Sequence, residues 1–134
     1  MKKQILTFLI MASLSSCNND DSCSCANNKL VGKWKLIEVL ADPGDGSGTF
    51  NPIESNKILE FKNNNTVVTN TSMCNPFSNE IVVSGVYNYF ASTIVTNCQN
   101  PTAASVDFEI ENNNFLILTY ISTEGYAQKY KRVY

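Results

Sequence analysis

Eight short segments rich in Val, Ile, Thr, Tyr and Phe, cut apart by Asn, Gly and Pro clusters, most constrain how this 134-residue chain can fold. They lie at 30–40, 57–62, 66–71, 81–89, 93–98, 105–111, 115–122 and 126–133. β-Branched and aromatic residues bounded by turn formers read as strands. The alternation is clearest where Val106, Phe108 and Ile110 interleave with Asp107, Glu109 and Glu111. That period puts the three carboxylates on one face, which reads as a solvated outer surface rather than an acid–base pair. Lys62-Asn63-Asn64-Asn65-Thr66 and Glu111-Asn112-Asn113-Asn114-Phe115 read as hairpin loops, because Asn tolerates left-handed backbone. No segment after residue 29 carries a helical stripe. Eight consecutive strands on mostly short loops predict an all-β, up-and-down, antiparallel eight-stranded barrel. Closure also removes two apolar edges, so the first and last strands are expected to pair.

Composition narrows the function. The chain has no histidine, which excludes a Ser-His-Asp triad, a Cys-His dyad and histidine-based zinc sites. The expectation is a non-enzymatic protein without a cofactor. Ten basic against twelve acidic side chains, with no basic run, give the wrong sign for nucleic acid.

The N-terminus carries an address. Met1-Lys2-Lys3 is basic, residues 4–14 are apolar, and Leu14-Ser15-Ser16-Cys17 closes the run. The order is that of a secretory signal peptide, too short to span a bilayer, which needs about 20 apolar residues. The small residues before Cys17 resemble the lipobox of bacterial lipoproteins. That resemblance implies cleavage after residue 16, lipid on Cys17, and a membrane as partner through the lipid. Residues 17–28, mostly Asn, Asp, Ser and Cys, read as a disordered tether, leaving 29–134 as the barrel domain. Asp20-Asp21 resembles the acidic export signal of Bacteroidetes-type lipoproteins, and that resemblance implies an outer-membrane location with display at the cell surface.

With Cys17 assigned to lipid, Cys23, Cys25, Cys74 and Cys98 allow three pairings. Cys23 and Cys25 are one residue apart in the tether, and a soft metal there is a weak prospect. Cys74 and Cys98 close a loop of about 25 residues inside the domain, and a bridge worth roughly 3 kcal/mol is expected there in an oxidising space.

Leu30-Val31-Gly32-Lys33-Trp34-Lys35-Leu36 opens the domain with Gly-x-Trp. This resembles the N-terminal signature of the lipocalin fold, specifically the short lipocalin-like domains of bacterial lipoproteins. The resemblance implies that Gly32 and Trp34 form the closed base of the barrel, with Arg132, from Lys129-Tyr130-Lys131-Arg132, over the Trp ring. It also implies a small apolar or amphipathic ligand and a monomer. Met73-Cys74-Asn75-Pro76-Phe77, Gly85-Val86-Tyr87 and Cys98 resemble instead the META-domain lipoproteins, and with them comes the alternative of a protein-interaction or inhibitor module.

Two candidate sites follow. Asp42-Pro43-Gly44-Asp45-Gly46-Ser47-Gly48 places two carboxylates among glycines, as a mouth loop or a Ca²⁺ site on Asp42 and Asp45. Thr49, Phe50, Pro52 and Ile53 after it are expected to fold as an apolar flap over the mouth. Phe61, Tyr87, Phe108 and Tyr120 are the candidate pocket lining, within an aromatic set that includes Tyr89, Phe115, Tyr126 and Tyr130. An eight-stranded barrel is just wide enough to be filled by side chains or to hold one small ligand.

Overall fold

The structure, a computed structural model, describes residues 29–74, 77–99 and 104–134. The signal peptide at 1–16, Cys17, the tether with Asp20, Asp21, Cys23 and Cys25, and Asn75-Pro76 lie outside the described residues.

The chain forms nine strands, most of them alternating buried and exposed residues: β1 Gly32–Ala41, β2 Phe50–Pro52, β3 Ile58–Phe61, β4 Thr66–Thr69, β5 Ser84–Asn88, β6 Thr93–Thr96, β7 Ser105–Glu111, β8 Phe115–Tyr120 and β9 Tyr126–Val133. β3 to β9 follow one another as antiparallel neighbours, and β1 pairs with both β3 and β9. The sheet therefore closes into the expected eight-stranded up-and-down barrel. The Asn loops adopt the backbone that sequence suggested, with positive φ at Asn65, Asn112 and Asn113.

β2 is the departure from expectation. The flap assigned to Phe50, Pro52 and Ile53 is instead a short strand on β1, with Leu40 opposite Phe50 and Glu38 opposite Pro52. β2 and β3 share one edge of β1. Lys35 and Glu38 are three residues apart, while their partners Ile58 and Pro52 are six apart, so three extra residues bulge out between the two strands. Proline lacks a donor and is tolerated because the outer edge of β2 is unpaired.

A bulge at Ile37 separates the pairs Leu36–Tyr130 and Glu38–Lys129, turning Trp34, Leu36 and Val39 to the same inner side despite the odd spacing. One core runs through the barrel and holds Trp34, Leu59, Phe61, Val67, Ile94, Leu116, Leu118 and Tyr130, each at most 1% exposed. These side chains pack together as a single core cluster. Gln128, Thr69 and Thr96, the buried polar side chains among the described residues, all sit toward the end of the barrel where β1 finishes and β9 begins. The interior is thus apolar at its base and polar at its mouth.

Candidate functional site

At the base, Gly32 enters β1 with φ of 132°, a conformation that disfavours any side chain, and a Cβ there would lie 2.9 Å from Arg132 Nη1. Arg132 sits over the Trp34 ring at 4.1 Å. Its guanidinium donates to the carbonyls of Val31 (3.0 Å), Asn113 (3.3 Å) and Lys29. Trp34 Nε1 donates to Leu30 O at 2.9 Å, and Leu30 is fully buried beneath it. The Trp34 indole and the Arg132 guanidinium both donate to backbone carbonyls of the chain itself, so Gly32, Trp34 and Arg132 form a plug.

The four aromatic residues considered as pocket lining are all buried in the core cluster. Phe61 meets Tyr87 edge-on at 5.3 Å and Phe108 at 6.2 Å, while Tyr120 meets Tyr126 at 5.6 Å. Tyr87 donates to Lys62 O at 2.7 Å. The structure places them in the core, with Tyr87 also lining an open pocket of about 330 Å³ and Phe108 one of about 220 Å³.

Asp42 folds its loop around itself. Its Oδ1 accepts from the Gly44 and Gly46 amides and its Oδ2 from Gly48 at 2.6 Å, while Asp45 accepts from Ser47. Hydrogen bonds from the Gly48 and Gly46 amides hold the Asp42 carboxyl below its ordinary range. Gly44 and Gly46 adopt positive φ, which lets successive amides point inward as an anion nest. The loop's own amides occupy both oxygens of Asp42, so Asp42 and Asp45 serve as turn-forming residues here. Asp107 and Glu109 face solvent, and Glu111 pairs with Lys129 at 2.9 Å.

The mouth holds the most reactive chemistry. Period two carries Lys57 to the same inward side as Leu59 and Phe61, and Gln128 to the side of Tyr126 and Tyr130. Three donors converge on Gln128 Oε1: Lys57 Nζ at 3.1 Å, the Tyr120 hydroxyl at 3.1 Å and the Tyr130 hydroxyl at 2.5 Å. Gln128 Nε2 donates to the Tyr126 hydroxyl at 3.0 Å. Burial pushes the Lys57 ammonium down to about 8 and raises Tyr120, Tyr126 and Tyr130 above the ordinary tyrosine value. Lys57 and Gln128 form the floor of an open pocket of about 300 Å³, walled by Ser72, Cys74, Ser78, Asn79, Glu80 and Ile81.

No family model, curated protein or solved structure matches the chain. The site is therefore read from its own geometry.

The Cys74–Cys98 disulfide, with Cα atoms 5.8 Å apart, braces this pocket by joining the β4–β5 connection to the residues after β6. Glu80 Oε2 accepts from the Gln99 amide at 2.7 Å and lies 3.7 Å from Cys74 Sγ. Cys74, Glu80 and Cys98 bring three residues of metal-ligating type together, but both sulfurs are committed to each other. Sequence reading passed over Lys57 and Gln128 although a usable signal was present: a lysine and a glutamine each fall on the apolar parity of a strand.

Lys57 gives a pH prediction. In the unfolded chain it titrates near 10.5, in the fold near 8. Between those values the unfolded state binds more protons, so stability rises with pH across that window. Below pH 8 both states are charged and the desolvation cost is fully present. Lys57→Met is expected to stabilise the protein by about 2 kcal/mol below pH 8, a figure reduced from the full shift because the pocket is open to water. The gain should fade by about pH 10.5, where the raised tyrosines begin to oppose folding. Urea midpoints of both proteins at neutral and alkaline pH measure it, and a pH-independent difference would refute the assignment.

Proposed function

We propose that this is a lipid-anchored cell-envelope protein of the lipocalin-like kind, whose barrel binds a small amphipathic molecule at its mouth. The observation that supports the binding site is the open pocket over Lys57 and Gln128, above an interior packed with side chains. The ligand's polar head sits on the floor and its apolar part lies against Ile81, which is 80% exposed at the rim. The closed up-and-down topology and the Trp34–Arg132 plug favour the lipocalin-like reading over the META-like one.

Lipidation of Cys17 rests on the lipobox, and the described chain enters at the plugged base, where Arg132 holds Lys29 and Val31. An anchor there turns the mouth away from the membrane, on a tether that reaches at most about 40 Å over residues 17–28. Two or more acyl chains give stable attachment where one gives marginal binding. Native mass spectrometry of the detergent-solubilised protein from its own host should show a retained small molecule, and Cys17→Ser should move the protein out of the membrane fraction. Continued membrane retention of Cys17→Ser would sink the anchor.

A second reading, a protein-interaction module, has one observation in its favour. The outward residues of β5 and β6 are Ser84, Val86, Asn88, Thr93 and Val95, without a charge, and Val86 and Val95 are paired and more than half exposed. Uncharged apolar surface of this kind is what partner proteins cover. Absence of any retained molecule, together with a partner lost on Val86→Lys, would favour it.

A further inference from the structure

Lys57 stands out among the charged groups because its position and its partners do not match. Its strand parity sends it into the barrel mouth, where burial disfavours a charge. Among the described residues no carboxylate lies within ion-pair distance of it, and its hydrogen bond goes to Gln128 Oε1. That oxygen has two lone pairs and already faces the hydroxyls of Tyr120 and Tyr130. An ammonium with three N–H groups therefore shares one crowded acceptor, and its remaining donors are available to the pocket that Lys57 lines.

The same pocket also carries the other sign. Glu80 lines the same pocket, anchored through Oε2 to the Gln99 amide, while Oε1 takes no hydrogen bond among the described residues. The Ser72 hydroxyl is committed, donating to Glu80 O and accepting from the Cys74 and Val82 amides. A cavity of about 300 Å³ is at the small end of ligand sites and holds these two charges together.

We infer that the mouth pocket is a site for a small monocarboxylate, held by Lys57, whose other end carries a hydrogen-bond donor directed at Glu80. Hydroxy acids and amino acids have this chemistry. The carboxylate supplies the counter-charge that the buried ammonium lacks, through a charge-assisted hydrogen bond. Glu80 works against dicarboxylates and phosphates, whose second charge would face its own. This inference rests on the mouth being the binding site and adds the chemical class of what binds there.

The test is a titration of the full chain in detergent micelles, followed by NMR at the Gln128 side-chain amide and the Gln99 backbone amide. The probes are γ-hydroxybutyrate, butyrate, butyramide and succinate. Butyrate should bind about tenfold more tightly than butyramide, the effect of one charge-assisted contact, with γ-hydroxybutyrate tighter still and succinate no better than butyramide. Lys57→Met, which removes a buried charge and is expected to fold, should erase the difference between butyrate and butyramide. Lys57→Arg should retain it, and Glu80→Gln should admit succinate. Butyramide binding as well as butyrate, with shifts at Gln128, would overturn the carboxylate assignment and leave the pocket standing. The same follows if Lys57→Met keeps the preference. Shifts at neither amide with any probe at millimolar concentration would overturn both the inference and the mouth as a binding site.

Discussion

Trp34→Ala is expected to cost about 3–5 kcal/mol, the range for emptying a fully buried aromatic site, and it should be the most damaging single substitution at the base. Trp34 is 0% exposed, its indole N–H is satisfied by Leu30 O, and Arg132 lies on its ring. Removing it opens a void between Leu30 and the barrel floor, and the void cannot collapse because β1 is held on one edge by β9 and on the other by β2 and β3. It also removes the ring under Arg132, a contact worth about 0.5–2 kcal/mol. For a domain of this size the loss lowers Tm by more than about 15 °C. Far-ultraviolet circular dichroism during heating measures it, since the variant has no other tryptophan to report by fluorescence. Trp34→Phe keeps part of the volume and should fall between the two. A Trp34→Ala protein melting within a few degrees of the parent would show that the plug is not a keystone of the barrel.

The base illustrates how far sequence reasoning reaches. The resemblance carried by Gly-x-Trp and a basic residue on the last strand sufficed to anticipate the stacking of Arg132 on Trp34. Eight alternating segments on short loops gave the barrel, and the need to cover two apolar edges gave the pairing of β1 with β9. Strand pattern failed for β2, where Phe50-Asn51-Pro52 has neither alternation nor a backbone donor at Pro52, and where pairing depends on an edge of β1 left open by the short β3. Local pattern carries no record of such an opening. At Asp42 the pattern was legible but ambiguous, since a carboxylate among glycines suits a cation or a ring of amides equally, and only the backbone conformation decides. At the mouth, Lys57 and Gln128 were visible as polar residues on apolar faces. Their meaning depends on four side chains, from β8, β9 and the residue before β3, meeting around one amide, which no single strand reveals.

Replacing Cys74 and Cys98 together by serine is expected to lower stability by about 3 kcal/mol, the loop-closure value for a bridge spanning 24 residues of sequence. The loss should be local before it is global. The bridge ties two of the longer connections at the mouth. Met73 N to Val82 O and Ser72 Oγ to Glu80 O, each at 2.7 Å, close the first connection on itself, and Gln99 N to Glu80 Oε2 at 2.7 Å joins it to the second. Without the covalent link these contacts must hold two chain segments against their own entropy. Hydrogen exchange should therefore show the Met73, Val82 and Gln99 amides losing protection, while Arg132 N, bonded to Asn114 O at the base, keeps its own. Urea unfolding with and without reductant gives the global figure, and the doubly substituted protein should match the reduced parent. Because Cys74 and Glu80 wall the pocket over Lys57, carboxylate binding should weaken in parallel with the lost protection. Equal urea midpoints for oxidised and reduced protein would refute the bracing role. Lost protection with unchanged probe affinity would instead separate the bridge from the site it adjoins.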